Sequence, residues 1–215
     1  MICIFFYSCY TENMKVFVSD ISQILPERLS QITDVLSDAE KKRLENMISV
    51  KRQHEFICGH FLLRKVLSEE LQKPLNEIEI NTLSSGALVL SDTSLGYISL
   101  SHSNNQVAIA FCPDPVGLDM EWMQQKDNYN AILEQIDAVK DAGQLLSQGY
   151  GLQETFFRLW TRREAYYKMS SVCEQSTFEK TFFHYLNQNN FMFCVSSTRV
   201  QQIEWKFMKS IDKIL

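Results

Sequence analysis

Hydrophobic and polar positions follow two different periods along the chain, and these periods predict its elements. Between residues 38 and 71, apolar residues recur every three or four positions, which is typical of a long helix. Ser37 followed by Glu40 matches a capping box, so the helix is expected to start at Asp38. Beyond it, a period of two predicts short strands at 78–80, 88–90, 97–100, 107–111 and 116–122.

The same order of elements recurs after the turn at 113–115. Helices are predicted over about 130–147 and 153–171, followed by strands at 178–183, 191–195 and 200–208. Near the start, strands at 2–7 and 16–18 precede a helical stretch at 21–29. The predicted fold is therefore α+β. We expect two similar α+β halves in a pseudo-twofold arrangement, each a long helix packed on a small, mostly antiparallel sheet, with domains at 1–112 and 113–215.

Composition narrows the class of protein. The 215 residues are 45% hydrophobic and 22% charged, which supports a folded core and argues against disorder. The net charge of −5 disfavours a nucleic-acid-binding protein. No apolar run is long enough for a membrane span, and the six cysteines are scattered without a Cys-x-x-Cys pair, as in reduced cytosolic proteins. We therefore expect a cytoplasmic protein that binds neither membrane nor nucleic acid.

Two acidic patterns could carry chemistry. In the strand from Gly117 to Glu121, Asp119 and Glu121 share one face, and Mg²⁺ prefers such oxygen ligands. The alternative is a strand whose polar face meets water. On the later helix, Trp160, Glu164 and Lys168 follow one another at intervals of four. The alternative there is an ordinary surface ion pair beside a core tryptophan.

A third pattern is the strand 98–103, which places His102 between the hydroxyls of Ser101 and Ser103. Such a group can hold a phosphate. The alternative is a turn histidine whose hydrogen bonds are satisfied by its neighbours.

In combination, these motifs resemble the 4′-phosphopantetheinyl transferase superfamily, in particular its Sfp-type single-chain branch. The family pattern has Ser-His-Ser, then Gly-Ile-Asp-Ile-Glu, then Trp-x-x-Lys-Glu-Ala-x-x-Lys. Here these are 101–103, 117–121 and 160–168. Upstream, Lys51, Arg52 and the stretch from Gly59 to Arg64 match in spacing a family helix with a basic residue and Gly-Arg-x-Leu-Leu-Arg.

The resemblance implies a reaction: transfer of 4′-phosphopantetheine from coenzyme A to a serine of an apo acyl or peptidyl carrier protein, with release of 3′,5′-ADP. It also implies residue roles. Asp119, Glu121 and Glu164 would bind Mg²⁺. Glu164, directly or through a metal-bound water, would deprotonate the acceptor serine, and Lys168 would face the pyrophosphate. The 3′-phosphate end of coenzyme A would lie in the first half, held by a set of polar side chains: Arg43, Lys51, Ser101 and His102.

The chain departs from the family pattern in several places. The usual Gly-Lys-Pro before Ser-His-Ser is replaced by the stretch 85–88, which has no lysine, and 136–146 replaces a Phe-Phe-x-x-x-Glu segment. His60 and Arg163 stand where the family has arginine and lysine. We expect activity with either weaker coenzyme A binding or an unusual acceptor. A non-catalytic relative that binds a carrier protein or coenzyme A, and an unrelated Mg²⁺-dependent phosphohydrolase, remain as alternatives.

The resemblance also predicts how the molecule is assembled. Because both halves are present in one chain, we expect a monomer with its active site in the cleft between them. The cluster of Arg158, Arg162 and Arg163 could serve either the donor or the acceptor.

Overall fold

The computed structural model describes residues 13–24, 26–173 and 177–208. The strand predicted at 2–7 lies outside these residues. Within them the helices and strands are, in chain order, β1 (Met14–Asp20), α1 (Pro26–Thr33), α2 (Asp38–Glu45), α3 (Val50–Leu71), β2 (Ile80–Thr82), β3 (Leu88–Leu90), β4 (Tyr97–Ser103), β5 (Gln106–Cys112), β6 (Val116–Trp122), α4 (Tyr129–Gln135), α5 (Val139–Ser147), α6 (Leu152–Ser170), β7 (Phe182–Gln188), β8 (Phe191–Ser197) and β9 (Ile203–Met208). The predicted α+β class is confirmed.

The two larger sheets are built in the same chain order. In the first, β1 is followed by the long helix α3 and the hairpin β4–β5, and the strand order is β4-β5-β1 with antiparallel pairs. In the second, β6 is followed by α6 and the hairpin β7–β8, and the order is β6-β8-β7, again antiparallel. β9, which follows the second sheet in the chain, pairs in parallel with β1 and so extends the first sheet. β2 and β3 form a separate hairpin.

The core is layered as helix, sheet, sheet, helix. One face of the first sheet packs on α3, and its other face meets the second sheet through alternate residues of β1, β5, β6 and β8. The opposite face of the second sheet carries α6, against which α4 and α5 also pack. Alternate strand positions therefore serve two different contacts, as the period of two requires. None of the helices described is both long enough and apolar enough to span a membrane.

Two predicted helices are each divided in the structure. The region 38–71 forms α2 and α3 with a break between them, because the Ser49 hydroxyl accepts the N–H of Arg52 and starts a new helix. The region 130–147 forms α4 and α5, separated at Asp137, whose φ of 55° is incompatible with a continuing α-helix. The strand predicted at 178–183 was also placed too early: a short 3₁₀ turn precedes β7.

A buried ionic network holds α2 against α3. The predicted capping box is confirmed, since Ser37 and Glu40 exchange side-chain hydrogen bonds with each other's backbone N–H. The Glu40 carboxylate also accepts hydrogen bonds from His60 Nδ1 at 2.6 Å and from Arg64 Nη2 at 2.6 Å. Burial alone would raise the pKa of Glu40, but these bonds outweigh it and lower the pKa from 4.5 to about 2.

Gly117 allows α6 to lie directly on β6. A Cβ atom at this position would be 1.9 Å from the Ala165 carbonyl oxygen and 2.7 Å from Ser196 Oγ. The Ser196 hydroxyl donates a hydrogen bond of 2.8 Å to the same carbonyl. Only glycine permits this contact, which brings the side chains of the last turns of α6 to the adjacent carboxylates of β6.

Replacing Glu40 by glutamine should destabilise the protein in a pH-dependent way. The lowered pKa corresponds to about 3 kcal/mol of stability, which is complete above pH about 4.5 and lost as the pH falls towards 2. Glu40→Gln should therefore lower the free energy of unfolding at neutral pH by about that amount, and the variant should lose less than the wild type between about pH 5 and pH 3. Urea unfolding at several pH values measures the free energy of unfolding at neutral pH and its change between about pH 5 and pH 3. Glu69→Gln, an exposed site on α3, should behave like the wild type, and equal pH slopes in all three proteins would contradict this.

Replacing Gly117 by alanine should force α6 away from β6. A loss of about 3 kcal/mol or more is expected, because the added methyl meets backbone rather than a movable side chain. The matched control is Gly143→Ala in α5, where nothing lies within 4 Å of the added Cβ; this change should be neutral or gain up to about 1 kcal/mol. Thermal unfolding compares the two. Equal melting temperatures of the two variants would show that the close contact between α6 and β6 at Gly117 does not contribute to stability.

Candidate functional site

A cleft of about 270 Å³ lies between α3, β4 and the end of α6. Arg43, Glu55 and His102 line it on one side, and Glu164 and Lys168 of α6 line it on the other. Of the predicted site residues, Arg43, His102, Glu164 and Lys168 are therefore found along one cleft.

The cleft lies beside the contact between β4 and β6, which we call the seam. Serine side chains, and not backbone-to-backbone hydrogen bonds, connect the two strands there. From Ser99 to the end of β4, every second residue is a serine, and each hydroxyl accepts a hydrogen bond from a backbone N–H of β6. The three bonds run from Leu118 to Ser99 (2.9 Å), from Met120 to Ser101 (3.1 Å) and from Trp122 to Ser103 (3.0 Å). Two of the hydroxyls also donate to carboxylates: Ser101 to Asp119 at 3.0 Å and Ser103 to Glu121 at 3.1 Å. The same serines thus join the halves and orient both predicted metal ligands.

Asp119 is buried and has one oxygen without a protein partner. Its Oδ1 accepts hydrogen bonds from Ser101 and from Lys168 Nζ at 2.8 Å, and the lysine also donates to the Leu118 carbonyl at 2.9 Å. Oδ2 is buried without any hydrogen bond. An unpartnered buried carboxylate oxygen is costly. The alternative of a polar strand face open to water therefore does not describe Asp119.

The neighbouring carboxylates respond to the charge of Asp119. Burial, and then the charge of Asp119, raise the pKa of Glu121, although Ser103 and Trp160 hydrogen-bond to it. Burial and the charge of Asp119 likewise raise the pKa of Glu164, against the opposing effect of Lys168 and Arg163. Two acids with raised pKa values beside a buried carboxylate are an arrangement that a cation would stabilise.

The carboxylate oxygens at this site are the kind of ligand that Mg²⁺ prefers. Within residues 13–24, 26–173 and 177–208, no group of three or more His, Cys, Asp or Glu side chains is already arranged to hold a metal ion. Mg²⁺ commonly takes only one or two carboxylates and completes its shell with water and substrate phosphates. Asp119, with its free Oδ2, and Glu121 could supply such carboxylates, and Glu164 lies on the facing helix.

The residues predicted for a phosphate lie at the other end of the cleft. Arg43 and His102 line it, while Lys51 is exposed on the first turn of α3. Partial burial lowers the pKa of His102, and the nearby Glu55 carboxylate opposes this. His102 Nδ1 lies 3.5 Å from Glu55 Oε2, and Lys51 Nζ lies 3.9 Å from Glu55 Oε1.

Some predicted residues lie elsewhere. Ser101 is buried on the face of β4 opposite His102, where both of its hydrogen bonds go to β6. The arginine cluster lies along α6 outside the cleft: Arg158 packs on Tyr185, Arg162 pairs with Asp141, and Arg163 donates to a backbone carbonyl.

Several residues of the site had no assigned role in the sequence analysis. The alternation of Ser99, Ser101 and Ser103 was a usable signal for the seam, because a strand that places hydroxyls at every second position can pair with a partner strand through them. For Glu55, a carboxylate within the predicted phosphate set, the sequence offered no signal.

Ser99 and Ser101 provide a matched pair for testing the seam. Each alanine substitution removes the acceptor of one buried N–H and should cost about 1–3 kcal/mol of stability. Only Ser101→Ala also removes a hydrogen bond to the Asp119 carboxylate, which then loses its fixed orientation. This variant should therefore bind a divalent cation about tenfold more weakly, whereas Ser99→Ala should bind it as the wild type does. Urea unfolding and calorimetry with Mn²⁺ measure these effects. Equal cation affinities in both variants would show that Ser101 does not position a metal ligand.

Comparison with known proteins gives a consistent result. Residues 115–211 match the family model described as "4'-phosphopantetheinyl transferase superfamily". The chain is 30% identical over 145 residues to the 4′-phosphopantetheinyl transferase psf-1 of Bacillus pumilus, covering 67% of this chain and 60% of that protein. It is 28% identical over 146 residues to the 4′-phosphopantetheinyl transferase ffp of Bacillus subtilis, covering 62% and 64%.

A third relative, the 4′-phosphopantetheinyl transferase Sfp of Bacillus subtilis strain 168, is 25% identical over 146 residues, covering 62% of this chain and 64% of that protein. The chain thus spans a little under two thirds of the length of these relatives. The family match begins just before β6 and includes both acids of that strand and the whole of α6. The resemblance to the 4′-phosphopantetheinyl transferase superfamily, and to its Sfp-type branch, is therefore confirmed.

Proposed function

We propose that this chain transfers the 4′-phosphopantetheine group of coenzyme A to a serine of an apo acyl or peptidyl carrier protein, with Mg²⁺, and releases 3′,5′-ADP. The observation that carries the proposal is that Glu164 and Lys168 line one cleft, and that Lys168 donates a hydrogen bond to the buried Asp119, whose charge also reaches Glu164. The names of the similar proteins, and the family match over the residues that supply these side chains, support the same reaction.

In this mechanism, Glu164 receives the proton of the acceptor serine. Its raised pKa brings it closer to the range in which a carboxylate acts as a general base near neutral pH. The serine oxygen forms a bond to the phosphorus that carries the pantetheine arm, and the bond from this phosphorus to the bridging oxygen breaks. Lys168 stabilises the charge that builds on the departing nucleotide. When bound, Mg²⁺ would offset the charge of the pyrophosphate, with Asp119 and Glu121 as its protein ligands.

Glu164 lies where two cavities meet, which supplies a route for the acceptor. Besides the donor cleft, a hollow of about 590 Å³ lies on the other side of α6, and Glu164 and Tyr167 line both. Arg162 and Arg163 also line the hollow. A serine entering from this side would reach Glu164 while the donor occupied the cleft, so we assign the arginine cluster to the acceptor side.

The finer architecture belongs to the same proposal. The repeated order of strand, long helix and hairpin supports a pseudo-twofold relation between halves at 1–112 and 113–215, with the nucleotide end in the first and the catalytic helix in the second. The parallel pairing of β9 with β1 is the exception, because it carries chain from the second half into the first sheet. Since both halves are in one chain, the protein should act as a monomer, in the cytoplasm.

A non-catalytic relative that only binds coenzyme A or a carrier protein is the second candidate. The hairpin loop that lines the cleft favours it, because Ser85, Gly86 and Ala87 supply no cation there. The acids and the lysine of the reacting end oppose it, since binding alone does not require a proton acceptor beside a buried acid.

Incubation with coenzyme A, Mg²⁺ and a panel of apo carrier proteins should produce a mass gain of one phosphopantetheine on at least one carrier. Glu164→Gln should lower kcat by about 100-fold or more, because the amide cannot accept the proton. Lys168→Ala should also lower kcat, and the double variant should be less impaired than the product of the single effects.

Glu154→Gln is the matched control, since Glu154 lies on the first turn of α6 and pairs with Arg158. It should keep full turnover. Coenzyme A binding without any mass gain across the panel would favour the non-catalytic relative, and unchanged kcat in Glu164→Gln would remove the general-base role.

A further inference from the structure

The nucleotide end of the cleft contains a carboxylate among the predicted phosphate-binding cations. Glu55 lies on α3, only 7% exposed, and lines the cleft together with Arg43 and His102. Its two oxygens face different partners: Oε2 is 3.5 Å from His102 Nδ1 and Oε1 is 3.9 Å from Lys51 Nζ. Two of the three basic side chains assigned to the 3′-phosphate therefore already have an anionic neighbour.

A phosphate placed beside His102 and Lys51 would also lie beside Glu55. The attraction of the two basic groups would then be offset by repulsion from a carboxylate that is shielded from water and therefore weakly screened. The hairpin on the opposite wall does not compensate, because Ser85, Gly86 and Ala87 contribute no positive charge. Arg43, held near the ring of Phe56, also lines the cleft, and the positive charges of Lys168 and Arg52 reach His102 as well.

We propose that Glu55 determines donor selectivity, by opposing the binding of a 3′-phosphate at His102 and Lys51, so that the cleft distinguishes little between coenzyme A and its 3′-dephospho form. The inference rests on the proposed function, which supplies the donor. It adds that the donors are not restricted to coenzyme A. They include pyrophosphate-linked pantetheine compounds with or without a 3′-phosphate. The reacting end, at Asp119, Glu164 and Lys168, is the same for both donors.

Calorimetric titration of the wild type with coenzyme A and with 3′-dephospho-coenzyme A, in Mg²⁺ and without carrier protein, measures this selectivity directly. The two Kd values should lie within about threefold of each other. In Glu55→Gln, which keeps the shape of the side chain and removes its charge, coenzyme A should bind about tenfold more tightly, and the 3′-dephospho form should change by less than about threefold. Glu69→Gln, on the same helix but outside the cleft, makes the same change in net charge and should leave both values as they are.

Each outcome decides the proposal. A wild-type preference for coenzyme A above about tenfold would overturn it without any variant, so the test does not depend on the folding of Glu55→Gln. An unchanged ratio of the two Kd values in folded Glu55→Gln would overturn it as well. Because binding is measured without turnover, an absence of mass gain on any carrier would count against the proposed transfer alone, while the selectivity of the cleft would stand on its own data.

Discussion

The structure depends on the hydrogen bonds made by the backbone N–H groups along the edge of β6 that does not pair with β8. β8 pairs with one edge of this strand, and the backbone N–H groups on the other edge point towards β4. Buried N–H groups without acceptors would each cost as much as a lost hydrogen bond. The serine hydroxyls of β4 supply the acceptors, and a hydroxyl can accept and donate at once. The bonds that join the two sheets are therefore the same ones that fix the positions of Asp119 and Glu121.

This arrangement makes the fold and the electrostatics of the site interdependent. The seam buries Asp119. The pKa values of Glu121 on the same strand and of Glu164 on α6 are raised first by their own burial and then by the charge of Asp119. Gly117 contributes from the opposite face, because the close contact it permits brings Lys168 within 2.8 Å of Asp119. Lys168 is the cation that contacts Asp119, while the charges of Lys126 and Arg163 reach Glu121 and Glu164 respectively. These cations do not cancel the effects of burial and of Asp119, since the pKa values of both glutamates stay raised, and a divalent cation would stabilise the charged forms.

Local pattern was enough to predict most of the helices and strands. Periodicity located α3 and α6 and most of the strands, since those signals depend on neighbouring residues only. The spacing of the motifs led to Asp119, Glu164 and Lys168, which the structure does bring together. The sequence did not predict the break before Ser49, where one hydroxyl starts a new helix, or the pairing of β9 with β1. The pairing of strands so far apart in the sequence depends on how both sheets pack, and it produces no periodic pattern in the sequence.

The nucleotide end shows the same limit on sequence analysis, with a functional consequence. The loss of a lysine from the hairpin could be noticed by comparing motifs, but its effect could not be judged without knowing what else faces the cleft. In the structure, α3 places the Glu55 carboxylate there, in contact with two of the remaining basic side chains. A hairpin without a cation and a helix with an anion both reduce the positive charge at one end of the cleft, whereas the acids and the lysine of the other end are intact. The two ends are not independent, however, because the charges of Lys168 and Asp119 reach His102 together with the charge of Glu55.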